Sequence, residues 1–482
     1  MRIVFAAGEA LPYIKSGGLA DVIGSLPKEL VKKGHECYVI LPKYQDIKFP
    51  ETLEYVTNFY LWVGWRRCYC GVFKAVYDGV TYFFVDNEQY FRRPGLYGYD
   101  DDYERFAFYD FAVLECLSRL DIMPDILSLH DWQTAMIAPL YKERYCYYDF
   151  YGNVKITFTI HNIAYQGKCD PFLLNDLFGL DNYLYYNGNV RNDDCMNMMK
   201  AAILYSDAIT TVSPTYAKEI LTDAYGEGLQ SILAMRKDDL YGILNGIDYD
   251  TNNPETDPNI PYHFNANSVY TEKVKDKLAL QAEVGLPQDP DVALIGIVTR
   301  LTWQKGLDLI LNRMEEILQR KVQLLILGAG DKKYEEPLEE IAGFGNPKIS
   351  LQLKYDFGLS CRIYAGCDMF LMPSLFEPCG LSQMMSLRYG TIPIVRETGG
   401  LKDSVQPFNE FDGTGTGFSF ANYNAHEMMD TIDYALHIYY DDKDQWNGLI
   451  YRAMTEKLDW DRSADEYLRV FEIGRASCRE RV

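Results

Sequence analysis

Several things that would have given this chain a simple reading are missing from it. No two cysteines have CxxC spacing, and none of the six histidines stands at zinc-ligand spacing from a cysteine, so neither a zinc module nor a dithiol redox centre is indicated. The closest pair, Cys68 and Cys70, alternates onto one face of a strand and is a weak metal signal. The eleven cysteines are scattered, which leads us to expect free thiols in a reducing cytoplasm. No apolar run approaches the roughly 18 residues that cross a bilayer. The residues after Met1 already read as a core strand, so no leader peptide is expected. Positive charge is scarce, with 47 Lys and Arg against 69 Asp and Glu, a net charge of −22. Such a balance argues against nucleic acid or an anionic membrane as partner. There is also no short-period repeat and no low-complexity segment.

What is present is a long chain of alternating strand and helix patterns. At 482 residues it exceeds one ordinary domain, and 48% hydrophobic content is ample for packed cores. Strand patterns at 2–7, 38–41, 80–85, 126–129 and 156–160 are interspersed with helical patterns such as 104–120 and 196–206. This predicts a parallel, doubly wound sheet. A stretch at 249–266, rich in Asn, Asp and Pro and without apolar period, reads as a hinge linker. Beyond it a helix at 271–284 precedes a second set of strands at 292–298, 322–327, 349–353, 369–372 and 392–395. The expected organisation is a first Rossmann-like domain at 1–248, the hinge, a second at 267–455, and a closing helix at 456–472 that crosses back to the first domain. Residues 474–482, basic and polar, read as a non-native tail. Two such domains facing a central cleft would bring their C-terminal strand ends around one site.

The chemistry-bearing motifs fall at those strand ends or beside the hinge. Lys15-Ser16-Gly17-Gly18-Leu19-Ala20-Asp21-Val22 joins the first strand to a helix. A glycine pair there lets backbone amides and the helix dipole approach a phosphate. Lys15 adds a cation, and Asp21 can accept hydrogen bonds from a hydroxyl-rich ligand. Thr299-Arg300-Leu301-Thr302-Trp303-Gln304-Lys305-Gly306 follows the strand at 292–298 and presents two cations to one phosphate pair, the guanidinium as a fork and the ammonium as a compact charge. In so acidic a protein these cations are informative, because any anionic ligand needs a locally basic site. Ser374-Leu375-Phe376-Glu377-Pro378-Cys379-Gly380-Leu381-Ser382 follows another strand, with Glu377 at a turn and amides opening a helix. His130-Asp131-Trp132-Gln133 offers a carboxylate that can hydrogen-bond hydroxyls and an indole that can stack on a sugar face, although Trp132 reads equally well as a core aromatic. His161, in Thr159-Ile160-His161-Asn162, is by itself more often structural than catalytic. Asp100-Asp101-Asp102 reads as a solvated acidic loop rather than a metal site.

These blocks together resemble the bacterial glycogen synthase and starch synthase family, over roughly residues 1 to 472. The resemblance implies a GT-B type fold and a retaining, metal-independent glucosyltransferase that extends α-1,4-glucan from a nucleotide-glucose donor, ADP-glucose by analogy with bacterial relatives. UDP-glucose is not excluded on physical grounds. It implies catalytic roles for Lys15, His161, Arg300, Lys305 and Glu377. Donor binding falls to Gly17, Gly18, Asp21, Tyr97, Asn245, Cys379, Gly380, Leu381, Ser382, Gly399 and Gly400, and acceptor binding to Asp131 and Trp132. No cofactor, nucleic acid or membrane partner is implied, and no oligomeric state. Gln133 is a mild departure from the family pattern, and the Glu-x7-Glu spacing of some related transferases is absent, with Met385 at the second position. Two other readings are a phosphorylase, which carries pyridoxal phosphate and is usually far longer, and a non-catalytic sugar-binding protein, which would have been expected to lose Lys15, Arg300, Lys305 or Glu377.

Overall fold

The computed structural model describes all residues except Pro50, Asn153, Phe344 and 477–482, with 474–476 described as backbone only. The chain divides into two compact units. One comprises Met1–Gly246 together with the C-terminal helix Trp460–Ala476, and the other Ile247–Asp459.

In the first unit the strands run β1 Arg2–Ala6, β2 Glu36–Pro42, β3 Glu54–Val63, β4 Arg66–Tyr77, β5 Val80–Asp86, β6 Ile126–His130, β7 Lys155–Ile160, β8 Lys168–Cys169, β9 Arg191–Asn192, β10 Cys195–Asn197, β11 Ala208–Thr211 and β12 Leu240–Gly242. Nine of them form one sheet in the order β12-β11-β7-β6-β1-β2-β5-β4-β3. Seven are parallel, and the strands β1, β6 and β7 are buried almost throughout, as befits a sheet covered on both faces. The order reverses at β1, whose neighbours are β2 and β6. The helix Gly18–Lys32 buries Leu19, Val22, Ile23, Leu26 and Leu30, an apolar stripe at helical spacing.

This sheet is mixed, not wholly parallel as expected. The β3–β4–β5 edge is antiparallel. The sequence obscured it because aromatic residues occupy both faces of β3: Phe59 and Leu61 are buried, while Tyr60 and Trp62 point to solvent, which masks the two-residue alternation. Strands β8, β9 and β10 form a separate small antiparallel sheet.

The second unit holds β13 Ala293–Val298, β14 Val322–Leu327, β15 Ile349–Gln352, β16 Met369–Met372, β17 Ile392–Arg396 and β18 Phe418–Phe420. All its pairings are parallel, in the order β15-β14-β13-β16-β17-β18. This is the doubly wound dinucleotide-type order, with its switch point between β13 and β16.

The segment 249–266, expected as a hinge linker, is grouped with the second unit, which begins at Ile247. Asp248, Asn253 and Asp257 each accept a backbone N–H two residues on, so the segment is a series of side-chain-stabilised turns with no helical or strand period to read. Ile260 and Phe264 are buried, and Tyr389 donates to Asp257 at 2.6 Å. The closing helix is Trp460–Ala476 and packs on the first unit: Lys33 pairs with Asp465 at 2.9 Å, and Tyr467 and Phe471 are fully buried. The expected tail at 474–482 begins as helix at 474–476; the remainder lies outside the described residues.

Candidate functional site

In the first unit the polar groups gather at the ends of β1, β6 and β7. The chain leaves β1 through Ala7 and Gly8 to Glu9, which is only 3% exposed and accepts the backbone N–H of Ser16. Burial pushes the Glu9 carboxyl up, opposed by the amides of Ser16 and Gly17. Gly17 is the extended residue before the helix and Gly18 its first residue. Lys15 is ion-paired with Asp21 at 2.7 Å. Asp21 is therefore held by a cation. Burial raises its carboxyl and Lys15 counteracts that.

At the end of β6, Asp131 adopts φ +58° and ψ −177°, a region that is nearly glycine-only and costs roughly 1–3 kcal/mol. Its carboxylate accepts the backbone N–H of His161 at 2.8 Å, and its own N–H donates to Thr159 at 3.1 Å. Burial pushes this carboxyl up to about 7. Trp132 packs edge-on against Phe106 at 5.3 Å and near Tyr103 at 5.6 Å. His161, at the end of β7, faces His130 across 2.9 Å between Nε2 and Nδ1, and burial holds its imidazole down to about 3. Tyr97 lies beside Phe106, its hydroxyl buried with no hydrogen-bond partner among the described residues. Asn245, after β12, is 5% exposed, with Oδ1 buried and likewise unpartnered.

In the second unit the loops leaving β13 and β16 meet at the switch point. Lys305 and Glu377 form an ion pair at 2.5 Å, both largely buried, and Ser374 Oγ lies 3.4 Å from the same carboxylate oxygen. Leu375 donates its N–H to the Gln304 carbonyl at 2.9 Å, tying the two loops together. Arg300 is exposed and makes no ion pair among the described residues. Lys305 is therefore committed to a carboxylate while Arg300 is open. The β17 loop wraps the Glu377 turn from behind: Gly400 donates to the carbonyls of Glu377 and Pro378 at 3.2 and 3.1 Å. Gly399 has φ +43°, and a Cβ there would sit 2.0 Å from the Glu377 carbonyl oxygen. Cys379 is buried and packs under Gly400, Gly380 has φ +71°, Leu381 is half-buried and Ser382 opens a short helix ending at Arg388.

Of the sequence-predicted residues, Lys15, Gly17, Gly18, Asp21, Tyr97, Asp131, Trp132, His161 and Asn245 thus belong to the first unit. Arg300, Lys305, Glu377, Cys379, Gly380, Leu381, Ser382, Gly399 and Gly400 belong to the second. The acidic loop is not free: Asp101 pairs with Arg93 at 2.7 Å and Asp102 with the fully buried Arg105 at 2.8 Å. Cys68 and Cys70 are buried core residues.

Sequence reasoning missed three residues here. Glu9 holds the glycine loop. His130 backs His161. Arg396, 5% exposed, donates from Nε to the Ser374 carbonyl at 2.8 Å, from Nη2 to Leu375 and from Nη1 to Ala421 at 3.2 Å, and so clips the Glu377 loop. Arg396 carried one legible signal, a charged residue closing an otherwise apolar strand.

Two doubly wound units, each with its polar groups at a switch point, define a glycosyltransferase of the GT-B type. Residues 2–235 match the starch synthase catalytic domain family, and 280–447 the glycosyl transferases group 1 family. Among curated relatives, a glycogen synthase of Clostridium botulinum is 51% identical over 98% of this chain and 99% of its own length. One from Streptococcus agalactiae is 48% identical with the same coverage. Among solved structures, the catalytic domain of starch synthase IV from Arabidopsis thaliana, bound to ADP and acarbose, superposes with a TM-score of 0.92 at 35% identity over 98% of this chain and 99% of that one. A sucrose-phosphate synthase from Thermosynechococcus elongatus, at 14% identity and TM-score 0.61, shares the fold. The chain belongs to the glycogen and starch synthase family of glucosyltransferases.

Proposed function

We propose that this enzyme transfers glucose from ADP-glucose to the non-reducing end of an α-1,4-glucan with retention of configuration, and that it works in the cytoplasm. The observation that carries this is the Lys305–Glu377 pair at the switch point of the second unit, framed by amides and glycines, in a chain half identical to glycogen synthases. The donor assignment is supported by the ADP bound in the starch synthase relative, and the glucan by its acarbose.

In this reading Glu377 takes the sugar hydroxyls, and the amides of Cys379 to Ser382 with the loop of Gly399 and Gly400 take sugar and phosphate. Arg300 and Lys305 stabilise the charge that grows on the departing diphosphate, the electrostatic work that dominates such steps. Lys15, with the Gly17–Gly18 amides, and Asp21, Tyr97 and Asn245 serve the donor. Asp131 and Trp132 serve the glucan, and His161 the reacting sugar. The glycosidic bond breaks toward the diphosphate, the acceptor hydroxyl forms the new bond on the same face, and its proton passes to the departing phosphate. No cofactor is required, because the cations supply the charge.

The test is nucleoside diphosphate release from ADP-glucose or UDP-glucose in the presence of glycogen and a chelator. ADP release from ADP-glucose alone is expected. Release only from UDP-glucose overturns the donor assignment, and release from neither overturns the proposal.

A further inference from the structure

His161 does not stand alone. Its Nε2 lies 2.9 Å from Nδ1 of His130, and Nε2 of His130 lies 3.1 Å from Oγ of Ser128. Strand alternation puts Ser128 and His130 on one side of β6, and both are essentially unexposed, at 1% and 0%. The ring of Phe5 stacks on His130 at 5.9 Å, and each ring nitrogen has a partner, while the His130 backbone N–H donates to Thr134 Oγ1 at 2.8 Å. The imidazole is thus fixed on both sides.

Hydrogen-bond accounting sets the direction of this chain. The Ser128 hydroxyl has one donor proton, and His130 Nε2 is its one partner among the described residues. If His130 donated to Ser128, the serine proton would be buried without an acceptor, which is costly. The serine therefore donates, and His130 Nε2 carries the lone pair. A neutral imidazole with Nε2 bare carries its proton on Nδ1, so His130 donates to His161. His161 Nε2 then accepts, and its proton resides on Nδ1. Two facing imidazoles at this distance need one proton between them, and burial keeps both neutral. The Asp131 carboxylate accepts the His161 backbone N–H and has no hydrogen bond to either ring among the described residues.

We propose that Ser128 and His130 are positioning residues that hold His161 in the Nδ1–H tautomer, so that the ring offers the substrate a hydrogen-bond donor. The tautomer follows from the hydrogen bonds alone, whereas its effect on rate rests on the role given to His161 above.

With six histidines in the chain, full-length protein labelled with ring-¹⁵N histidine gives a resolvable two-bond proton–nitrogen spectrum. His161→Gln and His130→Gln assign the two signals. Both rings are expected to show the pattern of a protonated Nδ1 and a bare Nε2. A protonated Nε2 on His161 overturns the proposal. Ser128→Ala is expected to shift both rings toward mixed tautomers. It should lower kcat about tenfold, the scale of one misdirected hydrogen bond, with KM for glucan unchanged. Ser128→Thr, which keeps the hydroxyl, should restore both. Unchanged ring patterns in Ser128→Ala also overturn it. An unimpaired His161→Gln enzyme would overturn the role of His161 and the expected rate effect, while the spectra still decide the tautomer.

Discussion

The two units present opposite kinds of chemistry at equivalent places in their sheets. At the ends of β6 and β7 in the first unit, away from the Lys15–Asp21 pair, burial works against charge: His161 is held neutral, and the carboxyl of Asp131 is pushed up and engaged with a backbone amide. At the switch point of the second, opposite charges are brought together as the close Lys305–Glu377 pair, with Lys305 on the loop that also carries the exposed Arg300. Neutral donors and acceptors suit uncharged sugar hydroxyls, whereas paired and open cations suit an anion whose charge increases during reaction. One architecture therefore supports two electrostatic environments, and the difference lies in what the strand-end loops carry.

Removing the charge pair should produce the largest effect. Lys305→Ala and Glu377→Ala are each expected to lower kcat by about 10²–10³-fold in a nucleotide-release assay, the scale of losing one aimed electrostatic group. Rates within tenfold of wild type in both would erase the distinction between the units. Next in size is Gly399→Ala, which places a Cβ against the Glu377 carbonyl in a left-handed conformation. A stability loss of at least about 2 kcal/mol in urea unfolding is expected, and an unchanged midpoint would show that the frame around Glu377 yields.

Arg300→Ala should separate function from stability. The side chain is exposed and makes no ion pair among the described residues, so stability should change by less than about 0.5 kcal/mol. The donor KM should rise about tenfold, and it should lose part of its salt dependence.

The smallest effect is a pH slope in the first unit. His161 lowered to about 3 favours the neutral ring, so its stabilising contribution is complete above the unfolded value near 6.5 and is lost as pH falls toward 3. His161→Gln should flatten the decline of the urea midpoint between pH 7.5 and 5. Asp131 has the opposite sign. With its carboxyl raised to about 7, folding loses stability as pH rises from about 4 to 7. Asp131→Asn should gain on wild type over that interval and run parallel to it above. Parallel slopes throughout for both variants would remove the electrostatic contrast.

Much of the site was legible because glycine pairs, cations and a glutamate at strand ends carry their meaning locally. The lysine at 305 is noticeable as a cation on a strand-end loop, whereas the glycine at 399 is noticed only through the family resemblance. The groups that support them could not be read in that way. Arg396 acts on Ser374 and Leu375, 22 and 21 residues earlier, and Glu9 acts through the loop that folds back on it. The β3–β4 edge was missed because both of its faces carry aromatic residues, and the turns within the 249–266 segment were not read because side-chain turns have no period.

The sequence by itself determined the two sets of alternating strands and helices, the family and the motifs at the strand ends. Those depend on local period, on turn chemistry and on motifs that survive in isolation. Tertiary structure decided which charges are paired and which remain open, and which side chain holds another in place. Lys15 closes on Asp21 and Lys305 on Glu377, while Arg300 makes no ion pair among the described residues. His130 lies within hydrogen-bonding distance of His161 only because β6 and β7 run side by side. Protonation state and hydrogen-bond direction depend on burial and on partners distant in the chain, and both exist only once the sheet has formed.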